Sequence, residues 1–185
     1  MSLYFRLLWT LLRTWRLPNI DINDTLERTF RVLPNDLDVN RHMNNGRYLT
    51  MVDLLVIEYF ARTGFLRVLL GKKWYPVLGG AIITYRRELG AFQQYTLRFR
   101  YRGSDEHWNY LHFEFIDGDG NVCAAGYSKG AAKSRRGLVP CAKCFEAMGI
   151  DADSKPIPDA VAHWIESERA LVAGIEGTSS VKIAA

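Results

Sequence analysis

The sequence predicts an α+β domain in which a curved antiparallel sheet wraps one long central helix. Residues 46–63, GRYLTMVDLLVIEYFART, are apolar around most of a helical circumference, with polar breaks at Arg47, Thr50, Asp53, Glu58 and Arg62. Such a helix must be covered on more than one side. Residues 95–102 alternate Tyr95, Leu97, Phe99 and Tyr101 with Thr96, Arg98, Arg100 and Arg102, the period of a half-buried strand. Further strand signals follow at short intervals, which implies antiparallel pairing. A chain of 185 residues suits one such domain and can bury a core without metals or disulfides.

The elements follow in order. The opening MSLYFRLLWTLLRTWRLP places Ser2, Arg6, Thr10, Arg13 and Arg16 on one helical stripe and leucines, tyrosine, phenylalanine and tryptophans over the rest, with Pro18 as a stop. Its arginines interrupt the apolar run too often for a membrane span, and their placement does not suit a secretory leader. The pattern fits an amphipathic helix over residues 1–17 in peripheral contact with a membrane, the alternative being a helix packed on the domain or in a dimer contact. A strand is expected over 25–33, the central helix over 46–63 ending at Gly64, and a four-strand meander over 81–89, 95–102, 107–116 and 121–132. Gly103–Glu106 and Asp117–Gly120 supply two of its turns. Helices over 141–148 and 158–172 and a loose tail complete the chain. The units are therefore 1–17, 22–137, 138–173 as a helical extension, and 174–185.

Composition narrows the function classes. Hydrophobic residues at 48% and charged residues at 24% exclude a disordered or fibrous chain. Net charge is +4, and Arg6, Arg13 and Arg16, with no acid among residues 1–17, supply most of it. The remainder is near neutral, which argues against a nucleic-acid-binding face. The cysteines are Cys123, Cys141 and Cys144, an odd number that points to a reducing, cytoplasmic setting. Cys141-Ala-Lys-Cys144 is only half of a zinc site and reads as ordinary residues. Neither a metal nor an organic cofactor is expected. Lys129, Lys133, Arg135 and Arg136 near the last strand could meet phosphate groups of a ligand, although such a basic strand end is usually plain surface.

Chemistry concentrates in Leu33–Gly46, LPNDLDVNRHMNNG, which leads into the apolar helix. Asp38 can serve as general base or nucleophile, and His42 can donate to a carbonyl or exchange protons near neutral pH. Asn40 and Asn44 carry amides able to fix a carboxylate, a water or a substrate oxygen. The backbone N–H groups of Asn45, Gly46 and the residues up to Tyr48 open the helix and could hold an oxyanion. The competing role for Asn44 or Asn45 is to cap the helix.

The string DLDVNRHMNNGRYL resembles the signature of hotdog-fold thioesterases, and the strand, helix and sheet order resembles that fold over about residues 25–135. The resemblance implies a catalytic network of Asp38, Asn40 and His42, with Asn44, Asn45, Gly46, Tyr48 and Asp53 toward the substrate. Asp53 stands five residues after Tyr48, where the family carries an acid, and Arg41 stands where glycine is common. The resemblance further implies acyl-CoA or acyl-carrier-protein thioesters as substrates, and a homodimer or higher homo-oligomer. The rival reading is a non-catalytic acyl-binding or scaffold protein at a membrane surface; a hydratase of the same fold ranks below both.

Overall fold

The structure, a computed structural model, describes residues 3–151 and 155–179. Helix α1 (Leu3–Thr14) precedes strand β1 (Leu26–Arg31), the central helix α2 (Asn45–Arg62) and a short helix α3 (Phe65–Lys72). Strands β2 (Tyr75–Tyr85), β3 (Gln94–Ser104), β4 (Asn109–Asp117) and β5 (Val122–Ser134) follow, then the two-residue β6 (Gly137–Leu138) and helices α4 (Cys141–Met148) and α5 (Asp159–Ser179). This is the hotdog arrangement, an antiparallel sheet curled around α2.

The alternation in β3 and β4 does what period two requires. Leu97, Phe99, Phe113 and Phe115 are fully buried against Met51, Leu54, Leu55 and Tyr59 of α2. The Tyr59 ring meets Phe99 edge-on at 5.4 Å, and Tyr48 meets Phe115 at 4.7 Å. Each such side chain contributes about 1.5–3 kcal/mol by leaving water. On β5 the inward positions are small. A Cβ on Gly126 would come within 2.0 Å of the Ile82 carbonyl oxygen, so only glycine lets β2 and the Phe113 ring close over it.

Several features depart from the sequence reading. The strands run β1-β3-β4-β5-β2, so only β3, β4 and β5 form a meander. Strand β2 starts before the expected residue 81 and occupies the far edge. The eight-residue segment 86–93 carries the chain back across the sheet. It pairs with both neighbouring loops, through Met43 N–H to the Leu89 carbonyl at 2.8 Å and Phe92 N–H to the Val32 carbonyl at 3.0 Å. The β3–β4 turn lies later than Gly103–Glu106, because Asp105 Oδ1 accepts from the amides of His107 (2.9 Å) and Trp108 (2.7 Å) and makes those residues the corner. Finally, Gly64 at φ +81° ends α2 and redirects the chain into α3, which the sequence reading left out. Helix α5 also runs past the expected end at 172 to Ser179; residues 180–185 of the expected tail lie outside the described residues.

Helix α1 packs on the domain through Arg6, Thr10 and Thr14, with Leu7 half-buried against the core, while Arg13 and Arg16 of the expected polar stripe stay exposed. Arg6 forks onto Asp36 at 3.1 and 2.5 Å, both side chains being buried. Arg28 donates to Thr10 Oγ1 at 2.8 Å and to Glu58 at 3.0 Å, and Glu58 also pairs with Arg62 at 3.4 Å. Burial lowers the Arg28 pKa, while Glu58 opposes that shift. The Arg62 guanidinium closes the chain of contacts on the Pro18 carbonyl at 3.0 Å. Among the described residues, no helix is long and apolar enough to cross a membrane.

Helix α5 covers part of the opposite sheet face. Trp164 lies edge-on to Tyr110 at 6.4 Å, and the Lys129 ammonium bonds Glu168 while sitting 4.8 Å from the Trp108 ring. Lys129 is thereby committed, which leaves Lys133, Arg135 and Arg136 as the exposed cations of that strand end. The Arg98 and Arg100 guanidinia share Glu114 at 3.4 and 3.5 Å, so that strand face is a paired surface.

Candidate active site

The loop into α2 is a tight hook. A 3-10 turn (Pro34–Asp36) turns the Asp36 carboxylate inward, where it accepts from the Leu33 amide at 2.9 Å. The next turn closes through Asp38 N–H to the His42 carbonyl at 2.9 Å and Arg41 N–H to the Asp38 carbonyl at 3.1 Å. Arg41 takes φ +65° to complete it, a left-handed conformation that favours glycine and costs an arginine about 1 kcal/mol or more. A glycine would take this backbone without that cost.

The turn brings Asp38, Asn40 and His42 together. Asp38 Oδ1 accepts from the backbone amides of Asn40 at 2.8 Å and His42 at 3.4 Å, which fixes the carboxylate while leaving its side chain 26% exposed. The His42 ring favours another partner. Its Nε2 is 3.0 Å from Glu88 Oε2, whereas its Nδ1 is 4.0 Å from Asp38 Oδ1, beyond a hydrogen bond. Glu88 comes from the segment that crosses the sheet, and His42 pairs with Gly90 there as an isolated bridge. Sequence reading placed Glu88 inside a strand and had no signal for this contact. The Asn40 side chain is exposed at the tip of the turn.

At the start of α2, Asn44 is the cap. Its side chain accepts from the Gly46 amide at 2.9 Å, and its carbonyl from the Arg47 amide at 2.8 Å. The cap thus engages amides that the sequence reading offered to an oxyanion. Asn45 is exposed, and its carbonyl accepts from the Tyr85 hydroxyl at 3.1 Å. Tyr48 is buried between Tyr85 and Phe115, and that burial pushes its phenol up to about 12. It is therefore a core residue as well as a neighbour of the loop.

Along α2 from Leu49 onward runs a largely apolar cavity of about 430 Å³ between the helix, β2 and β5, continued by α3 and α4. Its floor is made of small residues, Ala81, Ser128 and Gly130, and the row they form lies across from Leu111 and Asn109. Ser128 Oγ is buried there without a hydrogen-bond partner among the described residues. Asp53 lines the wall, and desolvation by the surrounding groups raises its pKa. Of the residues expected in the site, Asp53 lines this cavity, while Asp38, Asn40 and His42 stay on the loop outside it. Cys141 and Cys144 are buried, with their thiols pushed up to about 12 and about 11 chiefly by burial. Among the described residues no cluster of metal-binding side chains occurs.

Comparison with known proteins bears on this geometry. The family described as the thioesterase-like superfamily matches residues 32–165. Protein THEM6 of Xenopus laevis is 29% identical over 138 residues, which span 73% of this chain and 64% of the frog protein. Among solved structures, a gentisyl-coenzyme A thioesterase superposes with a TM-score of 0.58 at 20% identity, covering 65% of this chain and 99% of its own. A Staphylococcus aureus protein solved in complex with CoA gives 0.60 at 16% identity, covering 76% and 91%. Identities this low carry the fold alone.

Proposed function

Since the chain belongs to the thioesterase-like superfamily, we propose that it hydrolyses acyl thioesters of coenzyme A or acyl-carrier protein to free acid and thiol. What supports this reading most is the pairing of an apolar cavity along α2 with a half-exposed carboxylate, held by two amides, at the loop that starts the same helix. The cavity lies within the size range of small-ligand sites and takes the acyl group. Asp38 deprotonates a water that attacks the thioester carbonyl, or attacks first to give a mixed anhydride that water then cleaves. His42, oriented by Glu88, and Asn40 stand beside the reacting carbonyl. The amide of Asn45 at the positive end of α2 polarises the carbonyl oxygen, since the neighbouring Gly46 and Arg47 amides serve the Asn44 cap. The thiolate leaves without a strong general acid, and Lys133, Arg135 and Arg136 are the cations available for the nucleotide phosphates.

The site is completed in a homodimer. Strand β2 pairs only with β5 among the described residues and leaves a long edge with Tyr75, Leu78 and Tyr85 exposed. An edge of that length and apolarity is a template for pairing with a second copy. Pro76, Val77, Leu78 and Ala81, on the same strand, form part of the cavity wall, so the partner lies against the acyl site. A panel of acyl-CoA and acyl-carrier-protein thioesters, read with a thiol reagent alongside the mass in solution, tests both statements. Thiol release from at least one thioester by a dimer or larger species is the expected result. Acyl binding without any thiol release would favour the non-catalytic scaffold.

A further inference from the structure

A helix on a protein surface ordinarily turns its apolar stripe to the core and its charges to water. Helix α1 departs from this: among the described residues, Leu7 alone of its large apolar side chains packs toward the core, and Arg13 stays in water. Arg6, Thr10 and Thr14 face the domain and are buried, whereas Phe5, Leu8, Trp9 (62% exposed), Leu12 and Trp15 (90% exposed) face outward. The inward side is fastened by the Arg6–Asp36 pair and by Arg28 reaching Thr10 Oγ1, so the outward side is displayed by a fixed helix. A row of large apolar side chains held in water in this way has a partner.

The charges name the partner's chemistry. Residues 1–17 contain no acid, Arg6 is neutralised by Asp36, and Arg13 and Arg16 remain exposed beside the aromatic face. A second copy meeting this face about a two-fold axis would bring arginine against arginine with no acid from the segment to answer them. An anionic lipid surface answers both features: headgroups take the arginines, and tryptophan favours the bilayer boundary. The described helix, 12 residues or about 18 Å, is shorter than about 30 Å of hydrocarbon, and an orientation in the plane of the interface is the one it fits.

We propose that α1 is a lipid-docking face worn polar side inward: Phe5, Leu8, Trp9, Leu12 and Trp15 enter the interface of an anionic bilayer while Arg6 and Thr10 anchor the helix to the domain. Arg6 is therefore an internal clamp rather than a headgroup ligand, opposite to the role an arginine stripe has in a free amphipathic helix. The docking stands independently of thioester hydrolysis.

The test is co-sedimentation of the full chain with vesicles of phosphatidylcholine alone or with 30% phosphatidylserine, together with light scattering in solution. Wild type and Asp38→Asn are expected to sediment equally with the anionic vesicles and about tenfold less with the neutral ones. A Trp9→Glu/Leu12→Glu variant, altered only at exposed positions, is expected to keep its circular dichroism and lose at least tenfold in vesicle binding. Absence of wild-type binding to anionic vesicles, or undiminished binding by the double variant, overturns the proposal. So does a wild-type oligomer that the double variant dissociates in the absence of vesicle binding, because the covering partner is then a second copy.

Discussion

Asp36 and Asp38 stand two residues apart and face opposite ways: the Asp36 side chain is 2% exposed and locked to Arg6, while the Asp38 side chain is 26% exposed and held by the amides of its own turn. One carboxylate builds the loop and the other is offered to whatever enters it. Removing one partner of a buried ion pair leaves an uncompensated charge, at a cost of about 3–5 kcal/mol. Asp36→Asn is therefore expected to lower stability by about that amount in urea unfolding, whereas Asp38→Asn changes it by about 1 kcal/mol or less. Equal losses in the two variants would show that the loop does not divide the roles this way.

The cavity walls give Asp53 a pH signature. Desolvation by the surrounding cavity walls raises its folded pKa above the ordinary aspartate value even though the residue has an exposed side, so the folded state holds this proton more tightly than the unfolded chain does. That contribution is full below about pH 4 and is lost as pH rises through the raised value. Relative to wild type, Asp53→Asn should gain stability over that rise and remain at least as stable at pH 7. Solvent access at Asp53 limits the gain to about 1 kcal/mol or less. Parallel stability curves for the two proteins from pH 4 to 7 would remove Asp53 from this role.

Filling the floor of the cavity should shorten the acyl group accepted. Ala81→Phe places a ring beside Ser128, where the small residues of β2 and β5 leave space under α2. Long-chain thioesters are expected to lose at least about tenfold in kcat/KM, since each methylene excluded from an apolar pocket is worth that order, while short acyl groups are retained. A uniform loss at every chain length would place the acyl group elsewhere.

The two cysteines of the CxxC string should be inert in the native protein. With thiols pushed up to about 12 and about 11, Cys141 and Cys144 carry little thiolate near neutral pH. A disulfide reagent at pH 8 should modify them at least about tenfold more slowly than free cysteine, with all three cysteines reacting once urea is added. Rapid native labelling of either would contradict the buried placement.

Much of this was legible in the chain, for identifiable reasons. The strict alternation at Tyr95–Arg102 located β3 because a half-buried strand imposes period two, and the apolar circumference of α2 announced a helix enclosed by a sheet. The turn over Asp38, Asn40 and His42 is local, so its spacing foretold a loop in which the Asn40 and His42 amides meet the Asp38 carboxylate, but not where the three side chains point. Long-range placement was not legible. Nothing in the residues 86–93 says that they cross the sheet and bring Glu88 to His42, and β2 joining the far edge follows from packing rather than from pattern. Periodicity also finds an amphipathic helix without saying which side faces inward. For α1 that depended on Asp36, Arg28 and Glu58, which are remote in sequence and gather only in the folded molecule.

The measurement that bears most directly on the whole account is the turnover of the best thioester in the panel by wild type and by Asp38→Asn, with acyl binding followed on the same samples. Loss of at least about a hundredfold in kcat with binding retained is the predicted result, the lower range for removing a general base or nucleophile. Equal turnover by the two proteins would contradict the assignment of the chemistry to Asp38.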